Sequence, residues 1–349
     1  MGTGLYFDHN ATAPILPAAR DAMIMALDAA NPFSPHAAGR EAAMMIDRAR
    51  RSVAGLADVD PRTVIFTSGA TEANAWALGH RDGPVLTSAI EHPSALAWAS
   101  ETIPVDDNGV IDLDWLSRRL SAGWPEGGVV SVMAANNETG VLQPVGAVAA
   151  LVRAVGGVFH CDATQIPGRL PMAIDADLLT LSAHKFGGPK GVGALIVKTG
   201  VAPLLRGGPQ ERGLRAGTHN VPGIVGMGAA ALACGEMAPQ RRDALVALCR
   251  SLGGEVLGEG APRLPNTLSV LFNAPGDLIV MALDLEGVSA STGSACSSGS
   301  AQPSHVLAAM GKSGTPVRLS FGPQTDIEPL KPILARVISN LEQSQSCEW

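Results

Sequence analysis

The feature that most constrains the fold of this chain is a series of short apolar runs, each followed by polar or glycine-containing sequence. The runs cover residues 63–67, 85–89, 129–133, 158–161, 178–181 and 194–197. They are too short for globular helices and continuous rather than alternating, which is typical of strands buried on both faces. Helical patterns precede the first run at 40–56 and connect later runs at 142–155. This alternation predicts an α/β fold with a mainly parallel sheet and helices on both faces.

The sequence changes character beyond about residue 235. A charged helical pattern at 241–252 is followed by further strand and helix candidates. They are strands at 268–272 and 317–321 and helices at 276–285, 304–310 and 329–341. We therefore expect two domains, a large one at 16–235 and a smaller α+β domain made of residues 1–15 and 236–349.

The composition is that of a folded globular protein. Of the 349 residues, 46% are hydrophobic, and the formal net charge is −7. This balance excludes disorder and argues against a nucleic-acid partner. We see no signal-peptide pattern and no membrane span. The 5 cysteines are widely spaced, so neither a disulfide framework nor a CxxC metal site is expected, and we predict a cytoplasmic protein with no membrane partner.

Ligands of parallel sheets bind outside the carboxyl ends of the strands, so the residues after each run are the functional candidates. Residues 68–71 are small and would expose backbone N–H groups at a helix N-terminus, which suits a phosphate. The same residues also fit an ordinary helix N-terminus with Thr71 as the N-cap. His92 and residues 136–140 follow the next two runs. Each of these, taken singly, is equally typical of a structural role.

Asp162 and Lys185 follow two further runs and together point to a cofactor. Asp162 ends an apolar strand, where an unpaired carboxylate is costly, so a cationic partner is implied. Desolvation at Lys185 would lower the pKa of its amine and favour Schiff-base chemistry. A reactive lysine, an acidic partner for a ring nitrogen and a phosphate-binding turn are the requirements of pyridoxal 5'-phosphate. Ser182 and His184 would complete the phosphate site.

Eight sequence blocks carry a resemblance that runs almost from end to end. They are YFDHNATAP at 6–14, FTSGATEAN at 66–74, NNETG at 136–140, DATQ at 162–165, SAHKFGGPKGVG at 182–193, QERGLRAGTHNVP at 210–222, STGSACSSGSAQPSHVL at 291–307 and VRLSFG at 317–322. In this order the blocks resemble the NifS/IscS-type cysteine desulfurases, in the class V branch of the fold-type I pyridoxal-phosphate enzymes. The resemblance implies a large domain with a mainly parallel seven-stranded sheet that binds the cofactor.

The resemblance also implies roles around the cofactor ring. Lys185 would bind the cofactor covalently and shuttle a proton, and Asp162 would pair with the pyridinium nitrogen. Gln165 would contact the ring hydroxyl, and His92 would stack on the ring face as a further catalytic residue.

A second set of implied roles concerns the phosphate and the substrate. The phosphate would be held by residues of both subunits of a homodimer. They are Ala70, Thr71, Ser182, His184 and Thr218 of the partner subunit. Asn137 and Arg318 would bind the substrate carboxylate, and Asn137 would also contact the cofactor.

Cys296 is the implied nucleophile. Residues 293–300 are all small apart from the cysteine, so they suit a flexible, accessible loop whose hydroxyls would support a thiolate. The alternative is a buried, inert thiol, for which a Gly/Ser loop is a poor setting. The resemblance allows Cys296 to ligate an iron–sulfur cluster transiently, and no other metal site is expected.

The expected activity is conversion of L-cysteine to L-alanine, with the sulfur transferred to Cys296 as a persulfide. The sulfur would serve iron–sulfur cluster or other sulfur-containing biomolecule synthesis, so the expected partner is a sulfur-acceptor protein. Two alternatives stay open: a selenocysteine lyase or other class V transferase or β-lyase, and a cofactor-free binding protein. The presence of Lys185, Asp162, His92 and Cys296 argues against the binding protein, and Cys296 favours sulfur transfer over transamination.

Overall fold

A computed structural model describes residues 5–79, 82–293 and 304–346. The strands are β1 (Leu5–Tyr6), β2 (Val64–Thr67), β3 (Val85–Ser88), β4 (Glu101–Ile103), β5 (Val129–Ser131), β6 (Val158–Asp162), β7 (Leu178–Ser182), β8 (Gly193–Val197), β9 (Glu255–Val256), β10 (Thr267–Leu271), β11 (Val288–Ser289) and β12 (Val317–Ser320). The helices are α1 (Pro17–Met25), α2 (Ala37–Ala57), α3 (Ala70–Gly79), α4 (Pro93–Leu96), α5 (Leu113–Ser121), α6 (Val145–Ala154), α7 (Val221–Ala233), α8 (Gln240–Ser251), α9 (Gly276–Leu285), α10 (His305–Ala309) and α11 (Leu330–Ser346). None of the helices in these ranges is long and apolar enough to cross a membrane.

The main sheet has seven strands in the order β2-β8-β7-β6-β5-β3-β4. All of its pairings are parallel except those of β8, which runs antiparallel to both β2 and β7. The predicted α/β fold with a mainly parallel sheet is therefore confirmed. The six apolar runs correspond to β2, β3, β5, β6, β7 and β8, whereas the edge strand β4 was not predicted.

The strands of the main sheet are buried on both faces, as their continuous apolar character predicts. On β2, Ile65 packs in one core cluster with Trp76, while Val64 and Phe66 pack in the cluster on the other face. The same alternation places Leu178 of β7 on the Trp76 side. Because both faces of the sheet are covered, the carboxyl ends of the strands are where polar side chains can reach a ligand.

The C-terminal part of the chain forms a core of its own around the antiparallel sheet β12-β10-β9. Phe7 is fully buried in that core, and β1 pairs in parallel with β11, so the N-terminal segment packs with the C-terminal part. This separate core supports the two-domain division at residues 15–16 and 235–236, which stays a prediction.

Candidate active site

The carboxyl ends of β2, β3, β5, β6 and β7 meet at one edge of the main sheet and border a cleft of about 640 Å³. The cleft brings together all the candidate residues of the sequence analysis except Thr218 and Cys296. They are Ala70, Thr71, His92, Asn137, Asp162, Gln165, Ser182, His184, Lys185 and Arg318. Residues that lie up to 248 positions apart in the sequence therefore share one site.

One end of the cleft is formed by the turn from β2 into α3. This helix begins at Ala70, so Thr71 lies in its first turn and is not the N-cap that the alternative interpretation assigned to it. A Cβ atom on Gly193 of β8 would lie 2.7 Å from Gly69 Cα, so the turn can pack this closely only against glycine. The backbone N–H groups at the start of α3 face an anion-binding end of the cleft.

Two charged residues border this helix start. Glu72 Oε2 accepts a hydrogen bond from the Ser68 N–H at 2.7 Å, and Arg215 pairs with the same carboxylate at 2.9 and 3.1 Å. Burial raises the pKa of Glu72, but the hydrogen bonds from Arg215 and Ser68 outweigh it and the pKa is lowered. The negative charge of Glu72 is thus balanced by Arg215, so it does not repel an anion bound at the start of α3.

Lys185 lies in the single turn of 3-10 helix that follows β7. Its Nζ donates hydrogen bonds to the carbonyl oxygens of Asn10 at 2.5 Å and Ala11 at 3.1 Å. The preceding residue, His184, has its pKa lowered to about 4 by burial and by the positive charges of Lys185, Lys190 and Arg169. At neutral pH His184 is therefore an uncharged hydrogen-bonding group beside the lysine.

Asp162 ends β6 and is only 6% exposed. Its Oδ1 accepts a hydrogen bond from the Thr164 N–H at 2.9 Å, and its Oδ2 accepts one from Asn74 Nδ2 at 2.8 Å. The sequence implied a cationic partner, but among the described residues the carboxylate is in no ion pair. Neutral donors hold it in place, and its charge is available to a cationic group in the cleft.

His92 and Glu91 lie between β3 and α4. His92 is the N-cap of α4, and its Nδ1 accepts a hydrogen bond from the Ser94 N–H at 3.1 Å. Burial lowers the pKa of His92, which favours the neutral ring, and because Nδ1 accepts from the Ser94 N–H the proton of the neutral ring lies on Nε2. Glu91 is fully buried, and this burial raises its pKa to about 8. The charge of Asp162 raises the pKa further, whereas hydrogen bonds from Ser88 and Met133 lower it.

Arg318 enters the cleft from β12 and is 1% exposed. Its guanidinium donates to the carbonyl oxygens of Asn137 at 3.0 Å and Gly293 at 3.1 Å and pairs with Asp8 Oδ1 at 2.6 Å. Its Nε is buried without a partner among the described residues. A buried guanidinium of this kind suits recognition of a carboxylate.

Of the two remaining candidates, Thr218 does not line the cleft and Cys296 is not among the described residues. Thr218 lies in the segment before α7, where its side chain is exposed. Gly293, the last described residue before Cys296, lines the cleft.

The structure adds residues that the sequence analysis did not single out. Asn10 accepts hydrogen bonds from Lys185 and, at 3.2 Å, from Gln165 Nε2, and Asn74 holds Asp162. Thr164 lines the cleft beside Asp162. Asn10 and Asn74 both fall within the quoted sequence blocks, which is the only signal that could have pointed to them.

A lysine at a strand end, a buried carboxylate and a helix N-terminus in one cleft define a pyridoxal-phosphate enzyme site. The chain belongs to the aminotransferase class V family, whose model matches residues 5–332. It is 42% identical to a cysteine desulfurase of Frankia sp. (strain EuIK1), with 94% of this chain and 88% of the relative covered. It is 43% identical to a cysteine desulfurase of Cereibacter sphaeroides, with 88% and 86% covered. A solved NifS-like protein, 34% identical, superposes with a TM-score of 0.86 over 98% of this chain and 100% of that one.

Pyridoxal phosphate is the cofactor of this family, and the residues present fit it. Gln165 Oε1 and Thr164 Oγ1 are buried in the cleft wall without partners among the described residues. Such buried polar atoms are costly unless a ligand satisfies them. The start of α3 suits the phosphate, Asp162 suits the ring nitrogen and Lys185 supplies the amine, so each polar group of the cofactor has a counterpart.

Proposed function

We propose that this chain is a cysteine desulfurase that converts L-cysteine to L-alanine and carries the sulfur on Cys296. The observation that carries the proposal is the meeting of Lys185, Asp162 and Arg318 in one cleft, with Gly293 in its wall three positions before Cys296. The lysine and the carboxylate serve the cofactor, and the guanidinium serves an amino-acid substrate. The thiol of Cys296 follows the cleft residue Gly293 by three positions in the sequence.

The cofactor would be held by residues of the main sheet edge. Bound pyridoxal phosphate supplies an electron-withdrawing ring that stabilises negative charge at the substrate Cα. Asp162 would keep the ring nitrogen protonated, and the uncharged His184 and the start of α3 would hold the phosphate. Gln165 Oε1 would accept a hydrogen bond from the ring hydroxyl.

The substrate is oriented and its protons are moved by the cleft residues. Arg318 and Asn137 bind the carboxylate and set the direction of the Cα–H bond. Lys185 Nζ takes the proton from Cα and returns it at a later step. It thus acts as a general base and then as a general acid, for which the amine must be held near the reacting atom.

Sulfur transfer needs the thiolate of Cys296. The thiolate attacks the substrate sulfur, the Cβ–S bond of the substrate breaks and a proton is delivered to Cβ. The sum is L-cysteine plus the Cys296 thiol giving L-alanine plus the Cys296 persulfide, with no external oxidant or reductant. We propose that an acceptor protein then takes the outer sulfur, for iron–sulfur clusters or other sulfur-containing biomolecules.

Replacing Cys296 by alanine tests the sulfur-transfer step. With L-cysteine and a thiol reductant, the wild type should yield sulfide and alanine in equal amounts, and Cys296→Ala should lose sulfide release by at least about 10²-fold because the nucleophile is gone. Cys234→Ala is the matched control, since Cys234 does not line the cleft. Full sulfide release by Cys296→Ala would overturn the persulfide route. Release of selenide from selenocysteine without turnover of cysteine would favour a selenocysteine lyase.

We further propose that the active form is a homodimer, to which Thr218 contributes across the interface. Its exposed position away from the cleft of its own chain supports a role in the partner's site. Five exposed apolar side chains lie at the end of α1, in the connection to α2 and on α2, and exposed apolar side chains of this kind suit contact with a second copy. They are Ile24, Met25, Leu27, Phe33 and Met44.

A charge in this apolar surface should dissociate the dimer. Met25 is 83% exposed, so Met25→Glu has room in the monomer but would bury a charge in the dimer. Sedimentation equilibrium should give twice the chain mass for the wild type and a monomer for Met25→Glu. Leu285→Glu is the matched control, because Leu285 is equally exposed at the end of α9. A monomeric wild type would contradict the proposed role of Thr218. The cytoplasmic location stays a prediction.

A further inference from the structure

Asn74, which the mechanism above does not use, joins two elements of the site. It lies on α3, is fully buried, and its Nδ2 donates two hydrogen bonds. One goes to Asp162 Oδ2 at 2.8 Å and the other to Ser94 Oγ at 3.0 Å. The orientation of the amide is fixed chemically, because the flipped amide would place Asn74 Oδ1 against a carboxylate oxygen and neither atom can donate.

The chain of hydrogen bonds continues from Ser94 to His92. Ser94 Oγ lies 2.8 Å from His92 Nδ1, and the Ser94 N–H also points to Nδ1 at 3.1 Å. Because the Ser94 N–H can only donate, His92 Nδ1 is an acceptor and the neutral ring carries its proton on Nε2. Ser94 Oγ, which accepts from Asn74, then donates its own proton to Nδ1.

Charged groups surround this series of hydrogen bonds, so the residue that joins Asp162 to Ser94 should be neutral, as Asn74 is. The charges that act on His92 are those of Asp162, Lys185 and His305. The fully buried Glu91 feels the charge of Asp162 as well. Asn74 is the neutral donor that reaches Asp162 from α3, whose N-terminal end borders the anion-binding end of the cleft.

We propose that Asn74 is a positioning residue that couples Asp162 to His92 through Ser94. It aims the Asp162 carboxylate at the cofactor ring nitrogen and holds His92 in its Nε2-protonated form beneath the ring. The inference rests on the proposed function, because the two residues act together only when the cofactor lies between them. It assigns a role to a side chain that touches neither the substrate nor the cofactor.

Removal of Asn74 should weaken cofactor binding, an effect that can be measured without the sulfur-transfer step. Without the amide donor the Asp162 carboxylate loses one of its two hydrogen bonds and its fixed position toward the ring nitrogen, so it would hold the ring proton less well and the ring would withdraw fewer electrons from the Lys185-bound group. We expect Asn74→Leu, which keeps most of the side-chain volume, to bind the cofactor about 3- to 10-fold more weakly and to raise the pH midpoint of the Lys185-bound cofactor absorbance by about half a unit to one unit.

The experiment measures the dissociation constant of pyridoxal phosphate from the apoprotein and the absorbance titration from pH 5 to 10. Asn74→Ala, Asn74→Leu and Ser94→Ala are compared with Gln143→Ala, which removes a buried amide hydrogen-bonded to residues outside the cleft. Ser94→Ala should leave the titration midpoint closer to the wild type, since the Ser94 N–H and the Asn74–Asp162 bond both remain.

The possible outcomes separate this inference from the proposed function. A folded Asn74→Leu protein, judged by circular dichroism, with the wild-type midpoint and cofactor affinity would overturn the coupling and leave the desulfurase proposal intact. The same shift in Gln143→Ala would reduce Asn74 to a general packing role. A wild type that cannot bind the cofactor would overturn both proposals.

Discussion

Replacing Lys185 with alanine should remove the absorbance of the lysine-bound cofactor and lower desulfurase activity by at least about 10²- to 10⁴-fold. The change removes the amine that would bind the cofactor and move the Cα proton, and among the described lysines only Lys185 and Lys190 line the cleft. Lys190 also lines the cleft but lies in the glycine-rich segment after the turn. It cannot take the place of a side chain that is held by the Asn10 and Ala11 carbonyl oxygens.

The fold should survive this substitution. In Lys185→Ala the Asn10 carbonyl oxygen keeps the hydrogen bond from Gln165 Nε2, and the Ala11 carbonyl oxygen loses its lysine donor at the wall of an open cleft, where water can replace the amine. Absorbance spectra and sulfide release measured on purified protein give the two readouts, and circular dichroism checks the fold. The matched control is Lys198→Ala, a lysine paired with Asp175 at 3.2 Å on the surface. Retained activity in Lys185→Ala would remove the lysine from the mechanism.

The position of the site was predictable from the sequence because strand ends are local features. Each buried strand is a short apolar run, and the first polar residue after it marks the edge of the sheet. Asp162 and Lys185 were found in this way, and the structure places both in the cleft. The edge strand β4 was missed because two of its three residues are exposed and polar, so it has no apolar run to detect.

The antiparallel direction of β8 left a signal that the sequence analysis did not use. Only residues 183–192 connect β7 to β8. A parallel crossover needs a dozen or more residues, usually including a helix. A connection this short therefore indicates that the chain turns back, and it places the glycine run beside the lysine at the same edge of the sheet.

The partners of the site residues were not predictable, because they are set by the packing of distant segments. The Lys185–Asn10 contact spans 175 positions and the Asp162–Asn74 contact spans 88. The cationic partner expected for Asp162 illustrates the limit. The cost of a buried carboxylate implied a partner, but burial alone does not distinguish a cation from neutral N–H donors.

Arg318→Lys should raise the KM for L-cysteine by about 10- to 100-fold while kcat changes only a few-fold. A hydrogen bond to a charged group contributes about 1.5–3 kcal/mol, and a lysine keeps the positive charge but loses the planar pair of donors. Arg318 binds the substrate carboxylate equally well in the ground state and in the transition state, so the loss of this interaction appears in KM. Steady-state sulfide release at varied cysteine concentrations separates the two constants.

Arg318→Ala should act on stability as well as on substrate binding, because the guanidinium also pairs with Asp8 at 2.6 Å. The Asp8 side chain is 21% exposed, so its loss of a partner should lower the free energy of unfolding by about 1–3 kcal/mol rather than the larger cost of a fully buried charge. Arg336→Lys, at an exposed pair with Glu286 in the same part of the chain, should change neither quantity. If Arg318→Lys kept the wild-type KM, Arg318 would have only a structural role, through Asp8 and the carbonyl oxygens of Asn137 and Gly293, and would not bind the substrate carboxylate.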